Sequence, residues 1–585
     1  MYTEVKSYQY IISLLKKYGI KNCVLSAGSR NVPFVHSVEE DSYFNCYSVV
    51  DERSAGYFAL GLAQESGEPV VISCTSSTAT CNYWPAVAEA YYQGVPIIVL
   101  TSDRDQRMIG QWEDQLINQI GMYDRHVKKS VNLPVINDKD DEIYCQRLIN
   151  EALLELDHNG EKGPVHINVP TTTYNRSFIV KNLPDTKKID RIFRNDIEKL
   201  NNKKEELKKY KKILLVCGQQ FGVSEKLKKL ISKFFEHYNC VVVGDYTSNM
   251  NLPITINTTI CMDSNYLSTN QLNKLMPDLV ISIGGQVFSS IKEHLKSNHG
   301  KFEHWIIEPE GRIVDMYKSL NIVFECTNEE FFSIFTDNVE CKNDMAYYNE
   351  FKSYADSVKL PAFDYSHVYA IKNVVEKIPA NSVLHLSIND SIRITNFFKI
   401  RENIKVYANI GTHGIDGCLS SFIGQSVWKR NTQCFLIIGD LAFFYDMNAL
   451  RINSLGNNVH ILLINNHGGS EFYYNKIQQN NDKHTTARHN NIAEGWVRDN
   501  NITYLSAMDK ESFDNNLDKF INSDGPVVFE VFTEMSTDAK IIHDFYKNAR
   551  PKDLKSDIKR EMKEVVKTKL GQEKAKKILN IIKNG

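Results

Sequence analysis

Apolar residues along the chain fall into short runs bounded by turn residues, and most neighbouring runs are separated by stretches with helical periodicity. Residues 22–26 read as a strand ending in a Ser-Ala-Gly-Ser turn, 69–74 as a second strand and 96–101 as a third. Between the last two, the small and aromatic residues of 82–94 predict a buried helix. Runs that are apolar throughout and joined through helices indicate a parallel sheet covered on both faces. Gly163-Pro-Val-His-Ile-Asn-Val-Pro170 adds a short strand with a proline stop, and the Lys- and Asn-rich stretch 187–212 is expected to be a linker. A second α/β region opens at Ile213-Leu-Leu-Val-Cys-Gly218 and continues with strands at 241–244, 279–284 and 305–307. The sequence turns polar over 340–364, a second boundary, and a third region repeats the pattern at 382–387, 405–408, 434–438, 460–464 and 527–532. From about Asn548 the chain reads as a Lys/Glu-rich helix, either a solvated helix packed on the body or a partner-binding element. The expected fold class is α/β, with three doubly wound parallel-sheet domains over 1–185, 190–345 and 360–545 and a charged helical tail over 546–585.

Composition narrows the picture. At 585 residues the chain exceeds what one hydrophobic core organises. Its 42% hydrophobic and 24% charged residues are ordinary for a globular protein. A formal net charge of −2 creates no global field, so neither nucleic acid nor membrane is an expected partner. Apolar runs such as 95–100 fall well short of the ~18 residues of a membrane span. The first residues lack the basic-then-apolar pattern of a secretory signal. The 12 cysteines are scattered without a Cys-x-x-Cys pair, which favours reduced thiols. A cytoplasmic location is expected.

Candidate chemistry gathers first in the third region. A strand, Phe435-Leu-Ile-Ile, runs into Gly439-Asp440. After a helix expected over 443–455, a second strand, Ile461-Leu-Leu-Ile, delivers Asn465-Asn466-His467-Gly468-Gly469. Magnesium takes about six oxygens in octahedral array and commonly shares them between one or two protein groups and phosphates. Asp440 and the Asn466 amide can supply two oxygens, and the Gly468 carbonyl a third, because glycine lets backbone approach an ion closely. Ligands bind outside the carboxyl ends of parallel strands, where both clusters sit. Taken alone, Gly-Asp and Asn-Asn at strand ends also serve as ordinary turn chemistry. In the first region, Val49-Val-Asp-Glu52-Arg-Ser-Ala-Gly56 places a carboxylate at a strand end before a helix. In isolation that segment reads as a solvated charge cluster.

Gly-Asp followed at this distance by Asn-Asn resembles the signature of thiamine-diphosphate enzymes. Leu25-Ser-Ala-Gly-Ser-Arg30-Asn, Asp51-Glu-Arg-Ser-Ala-Gly, Cys74-Thr-Ser-Ser-Thr-Ala, Pro85-Ala-Val-Ala-Glu-Ala, Leu100-Thr-Ser-Asp-Arg104, Gly163-Pro-Val-His-Ile-Asn and Gly414-Ile-Asp-Gly417 also occur in order. Together with the two strand-end clusters they resemble the family of 2-succinyl-5-enolpyruvyl-6-hydroxy-3-cyclohexene-1-carboxylate (SEPHCHC) synthases, across nearly all of residues 1–545. That resemblance implies thiamine diphosphate with Mg2+ or Mn2+, no FAD, and pyrimidine-binding, central and diphosphate-binding domains. It implies a transferase-type reaction in which a 2-oxo acid (2-oxoglutarate in that family) is decarboxylated and joined to an acceptor (isochorismate). A simple decarboxylase that makes no carbon–carbon bond is the alternative. Glu52 becomes the catalytic carboxylate on the cofactor's aminopyrimidine, a role for which desolvation keeps a proton shared. Asp440, Asn466 and Gly468 hold the metal, Ile415 lies under the cofactor's bend, and Gly439, Leu441 and Asn389 complete the cofactor contacts. Active sites between chains imply a homodimer or homotetramer.

The same resemblance assigns substrate contacts to Ser29, Arg30, Arg104, Gln115 and Arg393; an Arg fork fits carboxylates bidentately. Other positions depart from the family. A substrate Arg is replaced by Ile410, and cations after Gly284-Gly are replaced by the run through Ser289-Ser290-Ile291. An apolar residue is replaced by Glu471, the usual Pro before Gly28 is Ala27, and Ser77 stands where Gly is common. Losing cations and gaining a carboxylate weakens a polyanionic substrate at about 1.5–3 kcal/mol per charged hydrogen bond. A less acidic donor or acceptor is therefore expected, with His413 and Glu471 either contacting it or serving only as loop residues.

Overall fold

The computed structural model describes residues 1–172, 177–263, 266–474 and 482–549. The tail expected over 546–585 therefore lies, beyond residue 549, outside the described residues. The chain forms two compact units: Met1–Leu207 with Lys296–Ile334, and Lys208–Leu295 with the chain from Phe335 onward.

The first unit is built on a six-stranded sheet in the order Asn45–Ser48, Asn22–Leu25, Val70–Cys74, Ile97–Arg104, Val165–Thr171, Lys129–Asn132. Every neighbouring pair is parallel. Alternate residues feed opposite faces, as the two-residue strand period requires. Val24, Ile72 and Val99 pack with helices Glu52–Ser66 and Trp84–Gln93. Cys23, Val71 and Ile98 pack on the other face with Lys6–Lys17 and Lys139–Leu154. Each fully buried Val or Ile stabilises by about 1.5–3 kcal/mol. A parallel ladder of Glu303–Ile307, Leu320–Glu325 and Asp190–Phe193 belongs to the same unit.

The second unit carries a parallel ladder, Thr255–Ile256, Cys240–Gly244, Ile213–Cys217, Leu279–Ile283, and a second six-stranded parallel sheet. That sheet runs Lys405–Ala408, Val383–Leu386, Cys434–Gly439, Val459–Asn465, Val527–Phe532, Thr503–Ala507. Leu384, Ile437, Leu462 and Phe529 face one core; Val383, Leu436, Ile461 and Val528 face the other. Counted along the chain, both six-stranded sheets have the order second, first, third, fourth, sixth, fifth. The architecture is α/β, with parallel sheets covered by helices, as the apolar pattern predicts.

Several local expectations are corrected. The stretch expected as a linker over 187–212 holds strand Asp190–Phe193 and helix Ile197–Leu207. That helix buries only Leu200 and Leu207, a stripe too thin to stand out in a polar sequence. Within the polar boundary 340–364, helix Ala346–Asp356 buries Tyr347, Tyr348 and Phe351. The helix expected over 82–94 is two, Thr78–Asn82 and Trp84–Gln93, the second carrying Pro85 in its first turn, where the missing N–H costs nothing. The helix expected over 443–455 instead spans Asp440–Tyr445 and passes into a 3-10 turn at Met447–Arg451.

Candidate functional site: a metal and diphosphate cavity at two strand ends

Strands Cys434–Gly439 and Val459–Asn465 are neighbours, with Gly439 opposite Ile464. Their carboxyl ends therefore release Asp440 and Asn466 side by side. Asp440 is buried, with 2% of its surface exposed. Its Oδ1 accepts from the Leu441 amide at 2.6 Å and its Oδ2 from the Gly468 amide at 3.0 Å, while His489 Nε2 lies 3.4 Å from Oδ2. Asn466 donates its amide nitrogen to Asp538 Oδ2 at 3.2 Å, which orients the amide so that its oxygen could serve a cation. Asp538, fully buried, is held in turn by Thr533 Oγ1 at 2.6 Å and by the His367 backbone amide at 3.0 Å. Its Oδ1 also lies 3.0 Å from His367 Nδ1. Burial pushes the Asp538 carboxyl up, but His367 and the hydrogen bonds outweigh it and the group is held below the ordinary carboxylate range. For His367, burial pushes the pKa down and Asp538 more than offsets this, so the ring is raised.

Asp440, Asn466 and Gly468 line one cavity of about 120 Å³, together with Asn389, Ile415, Gly439, Leu441 and Glu471. Gly468 has φ +150°, and a Cβ there would lie 2.6 Å from the Thr486 carbonyl oxygen. The position requires glycine, and the chain bends so that its backbone reaches the cavity. Asn389 caps the helix Asp390–Thr395 with φ 57°, a strained conformation for a non-glycine residue of the kind that gathers at functional sites. One carboxylate, one amide oxygen and one carbonyl form an all-oxygen donor set that suits a hard divalent cation with coordination left for phosphate oxygens. Among the described residues no group of three or more His, Cys, Asp or Glu is placed to hold a metal. A cation in this cavity accordingly depends on amide and backbone oxygens beside Asp440.

At the rim, Arg393 Nη1 donates to Asp390 Oδ1 at 2.6 Å and to Glu471 Oε2 at 3.2 Å. His413 Nε2 lies 3.2 Å from Asn389 Oδ1, and its ring stacks on Phe288 with centroids 5.9 Å apart. Burial pushes the His413 pKa down, with Glu471 opposing. Ile410, expected to stand in place of a substrate cation, is buried in the apolar core with Leu386 and Val406. Ser289 and Ile291 are likewise buried, Ser289 bonded to Thr258 Oγ1 at 2.9 Å, and the Ser290 amide donates to Asp263.

The remaining candidates belong to the first unit, at the carboxyl edge of its sheet. Glu52 opens helix Glu52–Ser66, half-buried, with Oε2 accepting from Asn82 Nδ2 at 3.3 Å. Arg30 is buried and its Nε donates to Ser76 Oγ at 2.9 Å. Ser76 Oγ donates in turn to the Gln115 carbonyl at 3.0 Å, so Arg30 and Gln115 meet at the turn after strand Val70–Cys74. Ser29 is exposed beside Arg30. Arg104 pairs with Glu113 at 2.8 Å and Asp114 at 2.5 Å. Sequence reasoning missed Asp538 and His367, because neither sits in a local motif and each meets the site through a contact distant in the chain; it also passed over Asp390, although that residue directly follows Asn389 and lines the cavity.

These strand ends define a class, that of the thiamine-diphosphate enzymes: residues 5–122 match the family described as thiamine pyrophosphate enzyme, N-terminal TPP binding domain. The chain is 35% identical over 561 residues to the 2-succinyl-5-enolpyruvyl-6-hydroxy-3-cyclohexene-1-carboxylate synthase of Bacteroides fragilis, covering 93% of this chain and 99% of the relative. It is 35% identical over 568 residues to the synthase of the same name from Bacteroides thetaiotaomicron, with 94% and 100% covered. To that of Flavobacterium psychrophilum it is 30% identical over 560 residues, again with 94% and 100% covered. The chain belongs to this SEPHCHC-synthase-like family of thiamine-diphosphate-dependent 2-oxo acid decarboxylase–carboligases.

Proposed function

We propose that the chain breaks the C1–C2 bond of a 2-oxo acid, releases carbon dioxide, and joins C2 to a carbon of an acceptor. The observation that carries this reading is the convergence of Asp440, Asn466 and Gly468 on one cavity. Bound there, thiamine diphosphate supplies the electron sink for loss of the carboxylate. Asp440, the Asn466 oxygen and the Gly468 carbonyl hold Mg2+ or Mn2+ against the diphosphate; Gly439, Leu441 and Asn389 shape the pocket, and Ile415 supports the bend. Glu52 of one chain holds and returns a proton at the aminopyrimidine held by a second chain, which makes the working form a homodimer or homotetramer. The half-exposed Glu52 carboxylate supports that arrangement, since a cover from a second chain supplies the burial its role needs. The division into domains over 1–185, 190–345 and 360–545 is part of the proposal, supported by the shared strand order of the first and last sheets. A cytoplasmic setting accords with twelve free thiols.

Ser29, Arg30, Arg104, Gln115, Arg393, His413 and Glu471 are the proposed substrate residues. Neutral residues at Ile410 and Ser289–Ile291 favour substrates less anionic than the family's pair. The test is carbon dioxide release from purified protein with thiamine diphosphate and Mg2+ across a panel of 2-oxo acids, with and without isochorismate or an aldehyde. A product carrying the acceptor is expected. Carbon dioxide with only the protonated aldehyde would make the protein a simple decarboxylase, and no release from any acid would overturn the reading.

A further inference from the structure

The two oxygens of Asp440 are used differently. A carboxylate offers about four lone-pair directions, two on each oxygen. Among the described residues, Oδ1 accepts from one group, the Leu441 amide at 2.6 Å. Oδ2 accepts from the Gly468 amide at 3.0 Å and has His489 Nε2 at 3.4 Å. Gly468 and His489 thus claim both directions on Oδ2, and one direction is left, on Oδ1. His489 is held for this contact. Its Nδ1 accepts from the Asn491 amide at 3.0 Å, which fixes the tautomer that carries its hydrogen on Nε2. Its own backbone amide donates to the His467 carbonyl at 3.2 Å, and the Phe444 ring meets the imidazole edge-on with centroids 5.3 Å apart. The side chain is only 13% exposed, so water competes weakly for Nε2. The segment that carries the ring is anchored in the core. Fully buried Glu530 accepts from the Ala493 amide at 3.0 Å and from Asn465 Nδ2 at 2.7 Å, and Asn465 Nδ2 also donates to the Asn491 carbonyl at 3.0 Å. A contact of 3.4 Å is long for a hydrogen bond, so the imidazole acts on Oδ2 chiefly as a fixed electropositive edge.

We infer that His489 is a positioning residue that keeps Asp440 monodentate and so selects a small six-coordinate cation, Mg2+ or Mn2+, against Ca2+. This rests on the cofactor site proposed above. Magnesium demands near-ideal octahedral geometry at about 2.0–2.1 Å, whereas calcium takes about six to eight oxygens at about 2.3–2.6 Å and readily engages both oxygens of one carboxylate. With Oδ2 facing two N–H groups, a cation meets Asp440 through Oδ1 alone. Without the ring, Oδ2 keeps a single donor, and the carboxylate can turn both oxygens to a larger ion. The role needs no change in the ring's charge.

The experiment titrates Mg2+ and, separately, Ca2+ into the full-length chain in excess thiamine diphosphate, by calorimetry against a blank without protein. Wild type, His489→Leu and His489→Gln are measured together; the glutamine places an amide donor close to where Nε2 stands. Wild type is expected to bind Mg2+ more tightly than Ca2+. His489→Leu should lower the ratio of the two affinities about tenfold or more, the usual scale for a group that orients a metal ligand. His489→Gln should restore most of that ratio. Where the leucine variant fails to fold, His489→Asn, whose shorter amide falls short of Asp440, is read in its place with the same expectation. A ratio left constant overturns the inference, even where both affinities fall, because a merely structural loss weakens both ions alike. A glutamine variant that behaves like the leucine one overturns it too, as does a wild type with no preference for Mg2+. Each of these outcomes leaves the cofactor reading standing, since the wild type still binds a divalent cation with thiamine diphosphate. A wild type that binds neither ion overturns that reading and this inference with it.

Discussion

His166, His304 and His385 are fully buried in the cores of the two units. Burial pushes the first two down to about 3, and His385, whose Nδ1 meets Gln425 Oε1 at 3.0 Å, to about 4. Each ring stays neutral in the folded protein where the unfolded chain, with an ordinary value near 6.5, takes up a proton. Below that value the unfolded state binds more protons, so stability is present in full above pH 6.5. It is lost as pH falls towards the folded values, at about 1.4 kcal/mol per unit for each ring. The melting temperature should therefore drop by several degrees between pH 7.5 and pH 5, read by differential scanning calorimetry with the cofactor absent. A carboxylate such as Glu142, held near 2 by Lys6 and Lys139, works in a lower window. Its contribution is present above about 4.5 and lost only as pH approaches 2, so it does not mask the histidines. An unchanged melting temperature over that interval would mean that the rings ionise in place.

At the scale of the element, the turn after strand Val459–Asn465 decides whether the cavity exists. Gly468→Ala would place a methyl 2.6 Å from the Thr486 carbonyl and 3.1 Å from Met535 sulfur, at a φ that side chains rarely adopt. The turn has to move, and with it the carbonyl proposed to face the cation and the amide that holds Asp440 Oδ2. The variant should fold but bind thiamine diphosphate with Mg2+ at least about tenfold more weakly by calorimetry, as is usual when a metal site's support is lost; wild-type affinity would remove Gly468 from the metal site. This turn and the Gly439-Asp440 end were legible in the sequence because each follows an uninterrupted apolar strand. Fully buried parallel strands announce themselves by such runs, and their ends by the glycines and polar residues that follow. The support beneath them was not legible. Asp538 lies on helix Met535–Ala549 and His367 on His367–Lys377, and each reaches the Asn466 layer only through tertiary packing. Strand Asp190–Phe193 and helix Ile197–Leu207 were obscured for the related reason that their few apolar residues carry little periodic signal.

At the scale of the whole molecule, the two six-stranded sheets share one strand order, and each presents its candidate residues at its carboxyl edge. Glu52 follows the second strand of the first sheet in chain order, and Ile415 follows the second strand of the last. The molecule thus carries two related edges, one with the carboxylate proposed to handle a proton and one with the cavity proposed to hold a metal and diphosphate. If a complete site joins the Glu52 edge of one chain to the Asp440 edge of another, two inactive chains can rescue each other. Glu52→Gln alone should retain cofactor binding and lose carbon dioxide release about a hundredfold or more; Asp440→Asn alone should lose the cofactor. After the two are unfolded together and refolded at equal amounts, a mixed dimer holds one site with both residues altered and one with both intact. Random pairing then restores about a quarter of wild-type activity, while separately refolded variants restore none. The readout is carbon dioxide release normalised to total chain concentration, with the oligomer's mass followed by light scattering. If every site were instead made within a single chain, each chain in the mixture would lack one essential residue and activity would stay at background. Recovery near a quarter therefore requires sites shared between chains, and background activity from mixed oligomers of the expected mass assigns each site to one chain.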